Sequence, residues 1–123
     1  MRRAILIFSA VFITGCAGTG TSPTSSSSAI PVSEQMPTGI AEKSAKTHTE
    51  LGALYLEAGN FAVALEESRY AAATDPNYAP AYNLMGLVHL MLNETPQAKG
   101  AFERAIQLAP TDPQIANDYG WFL

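Results

Sequence analysis

The sequence has one cysteine, two histidines and only seven basic residues in 123. Each scarcity removes a class of function. A lone cysteine closes no internal disulfide, and Cys16 has no cluster of nearby ligands to complete a zinc site. Seven Lys and Arg against eleven Asp and Glu give a net charge of −4. No basic stripe is left to neutralise phosphates, which argues against a nucleic-acid partner. With only His48 and His89 there is no Ser/His/Asp order and no H-E-x-x-H pair, and no phosphate-binding loop occurs. Glu66 and Glu67 are adjacent on a helical stretch and point about 100° apart, so they form no catalytic carboxylate pair and are read as a solvated face. The chain is therefore read as a non-enzyme with no cofactor, no metal and no small-molecule substrate. Long apolar runs are missing too. "AILIFSAVFI" (4–13) has ten residues, about half of the roughly 20 that a spanning helix needs.

That short run still has a recognisable setting. It follows the positive "MRR" and precedes a Ser/Thr-rich stretch, which is the layout of a secretory signal peptide. It ends in Ile13, Thr14, Gly15 and Cys16, a sequence that resembles a bacterial lipobox. The resemblance implies removal of residues 1–15 and acylation of Cys16 as the first mature residue. The mature chain then has five basic and eleven acidic residues, a net charge of −6. One acyl chain anchors a protein only marginally, at about 0.8 kcal/mol per buried methylene, whereas two or three hold it stably. Residue 17 is Ala rather than Asp, which by resemblance to Gram-negative lipoproteins implies the outer membrane, facing the periplasm. Residues 17–44, "AGTGTSPTSSSSAIPVSEQMPTGIAEKS", are poor in large apolar residues and read as a disordered tether, so that 16–44 forms a lipidated leash. As a coil it spans roughly 30 Å, and fully stretched it reaches on the order of 90 Å.

The remainder repeats itself at an offset of 34. Gly52, Gly86 and Gly120 coincide, as do Ala64 with Ala98, Ala71 with Ala105, and Pro76 with Pro110. The first copy reads His48–Leu51–Gly52–Tyr55 and Ala64–Ser68–Ala71–Pro76. The second reads Tyr82–Met85–Gly86–His89 and Ala98–Phe102–Ala105–Pro110, and a third begins at Ala116–Tyr119–Gly120–Leu123. This pattern resembles the tetratricopeptide repeat, a helical hairpin of 34 residues. A glycine inside a helix costs about 1 kcal/mol against alanine. Recurrence at one phase implies a compensating gain, which is close approach of the paired helix, with Ala64 and Ala98 as the matching small face. Tyr55, Tyr82, Leu65 and Phe102 would fill the space around that contact. His48 and His89 fall on aromatic positions of the pattern and are read as packing residues.

Helices are expected at about 46–58, 61–75, 80–92, 96–109 and 113–123. Gly59 would form a left-handed cap. Thr95 and Asp112 would be N-caps, each followed by a proline at the first helical position. The fold class is thus all-α, a right-handed superhelix with repeats at 45–78 and 79–112 and the start of a third at 113–123. The repeat-packing residues are Gly52, Ala64, Ala71, Gly86, Ala98, Ala105 and Gly120. By resemblance to the family, Thr49, Ala53, Leu56, Asn83, Leu87, Leu90 and Met91 face the concave groove. Apolar Leu87, Leu90 and Met91 suit an amphipathic or extended peptide, or else pack against a following repeat.

Taken together, lipobox, tether and repeats resemble the type IV pilus biogenesis and stability lipoprotein family (PilW/PilF). The residues that carry the resemblance are "HTELGALYLEAGNFAVALEE" (48–67), "DPNYAPAYNLMGLVHL" (75–90) and "NDYGWFL" (117–123). It implies an outer-membrane lipoprotein that binds a protein partner, the pilus secretin, and supports its assembly or localisation. Other readings of the same features are a Tad-pilus component or an adaptor for peptidoglycan enzymes. Because family members carry more repeats and solenoid ends are normally capped, the sequence is expected to be part of a longer protein.

Overall fold

The computed structural model describes residues 37–123, so the expected signal segment, Cys16 and the expected tether up to residue 36 lie outside the described residues. Five helices follow one another: α1 (Thr38–Glu57), α2 (Phe61–Thr74), α3 (Ala79–Met91), α4 (Thr95–Leu108) and α5 (Pro113–Phe122). Short turns fold α1 on α2 and α3 on α4, and α3 also packs on α1 and α2. The fold is all-α and follows the 34-residue period.

Boundaries agree with expectation to within one residue except at the first helix. α1 begins at Thr38 rather than near residue 46, so residues 38–44, read as tether, are helical. The cause is a stripe of small residues. Ala41, Ala45, Thr49 and Gly52 fall on one helical face and are all buried. Sparse large apolar residues gave this segment a tether-like composition, but alanine suffices here because the neighbouring helix comes close.

The helix ends show the repeat at the level of single residues. Gly59 has φ of +75°, and Asn93, which lies 34 residues on, has φ of +59°. Both are left-handed positions, where Gly and Asn carry the least penalty. In the first turn the Asn60 amide donates to the Tyr55 carbonyl, and in the second Glu94 donates to His89 in the same way. This geometry starts α4 one residue earlier than expected. Glu94 is its N-cap, Thr95 its first residue and Pro96 its second. The Thr95 cap is therefore incorrect: the backbone is already turned at Asn93. The Asp112 cap is as expected, since its carboxylate accepts from the Gln114 and Ile115 amides at 2.9 and 3.2 Å, with Pro113 opening the helix. Asp112→Ala is expected to cost about 1 kcal/mol, measurable as a lower denaturant midpoint with an unchanged slope.

The core is built largely from alanine. Ala45, Ala64, Ala71, Ala81, Ala98 and Ala105 have no exposed surface. Ala45, Ala71 and Ala81 join α1, α2 and α3, while Ala64, Leu84 and Val88 make a second contact between α2 and α3. Ala79, Ala105 and Ile115 join α3, α4 and α5. The two glycines of the period show why small residues are needed. A Cβ on Gly52 would lie 2.8 Å from Leu84 Cδ2 and 3.2 Å from the Ala64 carbonyl oxygen. A Cβ on Gly86 would lie 2.7 Å from two carbons of the Phe102 ring. Phe102 is the largest fully enclosed side chain, and Tyr119 and Phe122 of α5 lie against it with ring centroids 6.2 and 5.4 Å away. Gly120 differs from its counterparts. A Cβ there meets nothing within 4 Å, because among the described residues no helix pairs with that side of α5, so its expected packing role is not seen.

Candidate partner-binding face

Helices α1, α3 and α5 lie side by side as the first members of successive hairpins. Ala53 and Leu56 of α1 pack on the cluster that Leu84 and Val88 of α3 form with Ala64 of α2, and Asn83 of α3 bonds to Asp118 of α5. One face of these three helices is the counterpart of the expected groove. Its residues recur at the same offset: Thr49, Asn83 and Asn117 at one phase, Ala53, Leu87 and Trp121 at the next.

The seven residues expected on this face divide by burial. Thr49 is buried, and its hydroxyl donates to the Ala45 carbonyl one turn back at 2.8 Å. Asn83 is only 7% exposed and points into the α3–α5 contact rather than into solvent. Ala53 and Leu56 are half-buried against the cluster shared by α2 and α3. Leu87 and Leu90 are likewise half-buried and Met91 is exposed, so α3 presents an apolar strip at 87, 90 and 91 that is open chiefly at Met91. Periodicity fixes the phase of a residue on its helix; whether the neighbouring helix reaches that residue depends on packing.

The polar end of this face has one charge. The Asp118 carboxylate accepts from the Asn83 side-chain amide at 2.6 Å and from the exposed Gln114 amide at 3.1 Å to each oxygen. Among the described residues no Lys, Arg or His reaches it, and the two Lys–carboxylate pairs, Lys46–Glu50 and Lys99–Glu103, lie on other helices. Donating to Asp118 commits the nitrogen of Asn83 and leaves Asn83 Oδ1 buried with no partner. An unmet buried acceptor costs about 1–3 kcal/mol. Gln114, Asp118 and Trp121 were not among the residues expected on this face, yet the offset that selects Ala53 and Leu87 also selects Trp121. Its indole is 83% exposed.

Both histidines are used within the fold. His48 Nδ1 donates to Glu67 Oε2 at 2.6 Å and its ring tilts against Tyr70 at 4.3 Å. His89 is buried and donates in the same way to Glu94 Oε2 at 2.6 Å. A carboxylate only accepts, which places the proton on Nδ1 in each case. The solvated-face expectation therefore holds for Glu66 and fails for Glu67, which faces α1 and ties the first hairpin together. At the far end, burial pushes the Tyr78 hydroxyl above its ordinary value of 10.0, and the carboxylates of Glu50, Glu42 and Asp75 add to the effect. Tyr78 stays neutral and serves packing. Among the described residues no His/Cys/Asp/Glu group is arranged for a metal ion, no pocket is enclosed, and no helix is long and apolar enough to cross a membrane.

What the arrangement offers is an open, mostly apolar face on stacked helical hairpins. No curated protein matches the chain. The model of the tetratricopeptide repeat matches residues 55–117, just over half of the chain. With that match added to the 34-residue period and the paired helices, the chain belongs to the tetratricopeptide repeat family, whose stacked hairpins present extended surfaces for binding other proteins.

Proposed function

We propose that the protein is a membrane-anchored scaffold that faces the periplasm at the outer membrane and binds the pilus secretin, supporting its assembly or localisation in type IV pilus biogenesis. It works by binding rather than by turnover. The observation that carries the binding role is the apolar strip of half-buried Leu87 and Leu90 and exposed Met91, which shares its helix phase with the exposed Trp121. The spending of both histidines on internal carboxylates fits a role without acid–base chemistry. Anchoring rests on the signal-like residues 1–15 and Cys16, and the pilus assignment rests on the resemblance of residues 48–67, 75–90 and 117–123.

Cys16→Ser tests the anchor. The variant is expected to move from the membrane to the soluble fraction, and tight membrane fractionation of the variant would contradict acylation there. Gene deletion tests the role. Secretin multimers should fall together with surface pili, whereas intact multimers and normal piliation would overturn the pilus assignment.

A further inference from the structure

We infer that the α3–α5 part of this face accepts an extended peptide carrying a Lys or Arg two residues from an apolar side chain, with the cation at Asp118 and the apolar group between Trp121 and Leu87. The inference rests on the protein-binding reading above and specifies the chemistry of the bound segment.

Three observations lead to it. First, Asp118 is a carboxylate with no cation among the described residues. Its outward partner is the neutral amide of Gln114, whose nitrogen lies 3.1 Å from both carboxylate oxygens. That is the position an ammonium or guanidinium would take, and a charged donor binds a carboxylate more strongly than an amide does. Gln114 is exposed and free to swing away. Second, Asn83 is more than nine-tenths buried, and its unpartnered Oδ1 belongs to the amide that already holds Asp118. The buried Asn83 amide thus holds the carboxylate from beneath, and its outer side is left to the neutral Gln114 amide, where a basic group supplies the charged donor that Asp118 lacks. Third, Trp121 stands one helical turn beyond Asp118, and Leu87 stands one turn beyond Asn83. The Asn83–Asp118 bond joins the two helices, and Trp121 and Leu87 hold the same repeat phase on them, 34 residues apart.

Spacing then fixes the motif. Side chains three apart on a helix lie about 5–6 Å from each other. Alternate side chains of an extended chain lie about 6.6 Å apart on one side. A basic residue at Asp118 thus places the side chain two positions away over Trp121. The described surface adds long-range attraction, since its acidic residues outnumber its basic ones.

Trp121 is the only tryptophan in the chain, so its emission reports binding at this site. The probe is the synthetic peptide acetyl-GSKALSG-amide in which Ala separates Lys from Leu, with Lys→Glu and Leu→Ser versions for comparison, titrated into the full chain as purified. The Lys-Ala-Leu peptide should shift Trp121 emission to the blue and saturate. The Glu and Ser versions should each bind at least tenfold more weakly. Asp118→Asn, which keeps the shape of the side chain, should reduce the Lys-over-Glu preference to within twofold, and circular dichroism should be unchanged. Binding with no charge preference would overturn this inference while leaving the protein-binding reading intact. A failure of that reading shows separately, as loss of secretin co-purification. No emission change with any peptide overturns the inference. So does emission that shifts with protein concentration alone while light scattering reports a dimer, because a second copy then occupies the face.

Discussion

Phe102→Ala is expected to remove about 4 kcal/mol of folding stability. The ring has no exposed surface and fills the space between Gly86 on α3 and the Tyr119 and Phe122 rings on α5. Two terms add. Transfer of the lost ring carbons to water costs part of it, and the cavity left behind costs the rest, because the helices are held by turns at both ends and relax only partly. A folded unit of this size has roughly 4–13 kcal/mol in total. The variant should therefore be unfolded or close to it at 25 °C, as read by circular dichroism and urea titration. A loss below about 1.5 kcal/mol would mean that Phe102 is not the element that joins the second hairpin to α5.

Gly86→Leu is expected to cost on the order of 3 kcal/mol by overpacking the same contact from the other side. Even a methyl group lacks room there, since its carbon would sit 2.7 Å from the ring of a side chain that has nowhere to move. Propensity works in the opposite direction, because Gly→Ala inside a helix gains about 1 kcal/mol. Gly86→Ala therefore sets crowding against propensity, and the 2.7 Å approach decides that crowding wins. Gly100 supplies the control. It is exposed within α4, with nothing within 4 Å of a Cβ, so Gly100→Ala should stabilise the protein by up to about 1 kcal/mol. The two alanine substitutions are thus expected to have opposite signs. The double variant Gly86→Ala/Phe102→Leu tests the contact itself: the smaller side chain admits the methyl group, so the pair should lose at least about 1 kcal/mol less than the sum of the singles. Strict additivity would contradict the geometry.

These positions also show what could be read in advance. The 34-residue offset identified Gly52 and Gly86 as close contacts, and Ala64, Ala71, Ala98 and Ala105 as buried partners, because a glycine recurring inside a helix needs a packing reason. The same offset misled at Gly120, where the phase is right but no paired helix is among the described residues. Composition misled at residues 38–44: a helix that buries alanine alone looks like a linker, and only the neighbouring helix reveals that Ala41 and Ala45 are core. Asn93 was legible in principle, since it takes the place of Gly59 in the repeat and both are left-handed. On the binding face, phase was legible and depth was not. Asn83 and Leu87 share one stripe, yet α5 buries the first and leaves the second partly exposed. The His48–Glu67 and His89–Glu94 pairs lie beyond simple periodicity, because each joins a repeat position to a residue that varies from copy to copy.

The proposed action is to hold a protein partner on the face of α1, α3 and α5. Site-specific photo-crosslinking in the native host tests it most directly. A benzophenone side chain would be placed at Leu87 on that face, or at exposed Glu103 on α4. An adduct between the Leu87 variant and the pilus secretin is expected, and none from Glu103. Adducts from Glu103 alone, or no adduct from Leu87 while secretin multimers still form, would contradict it.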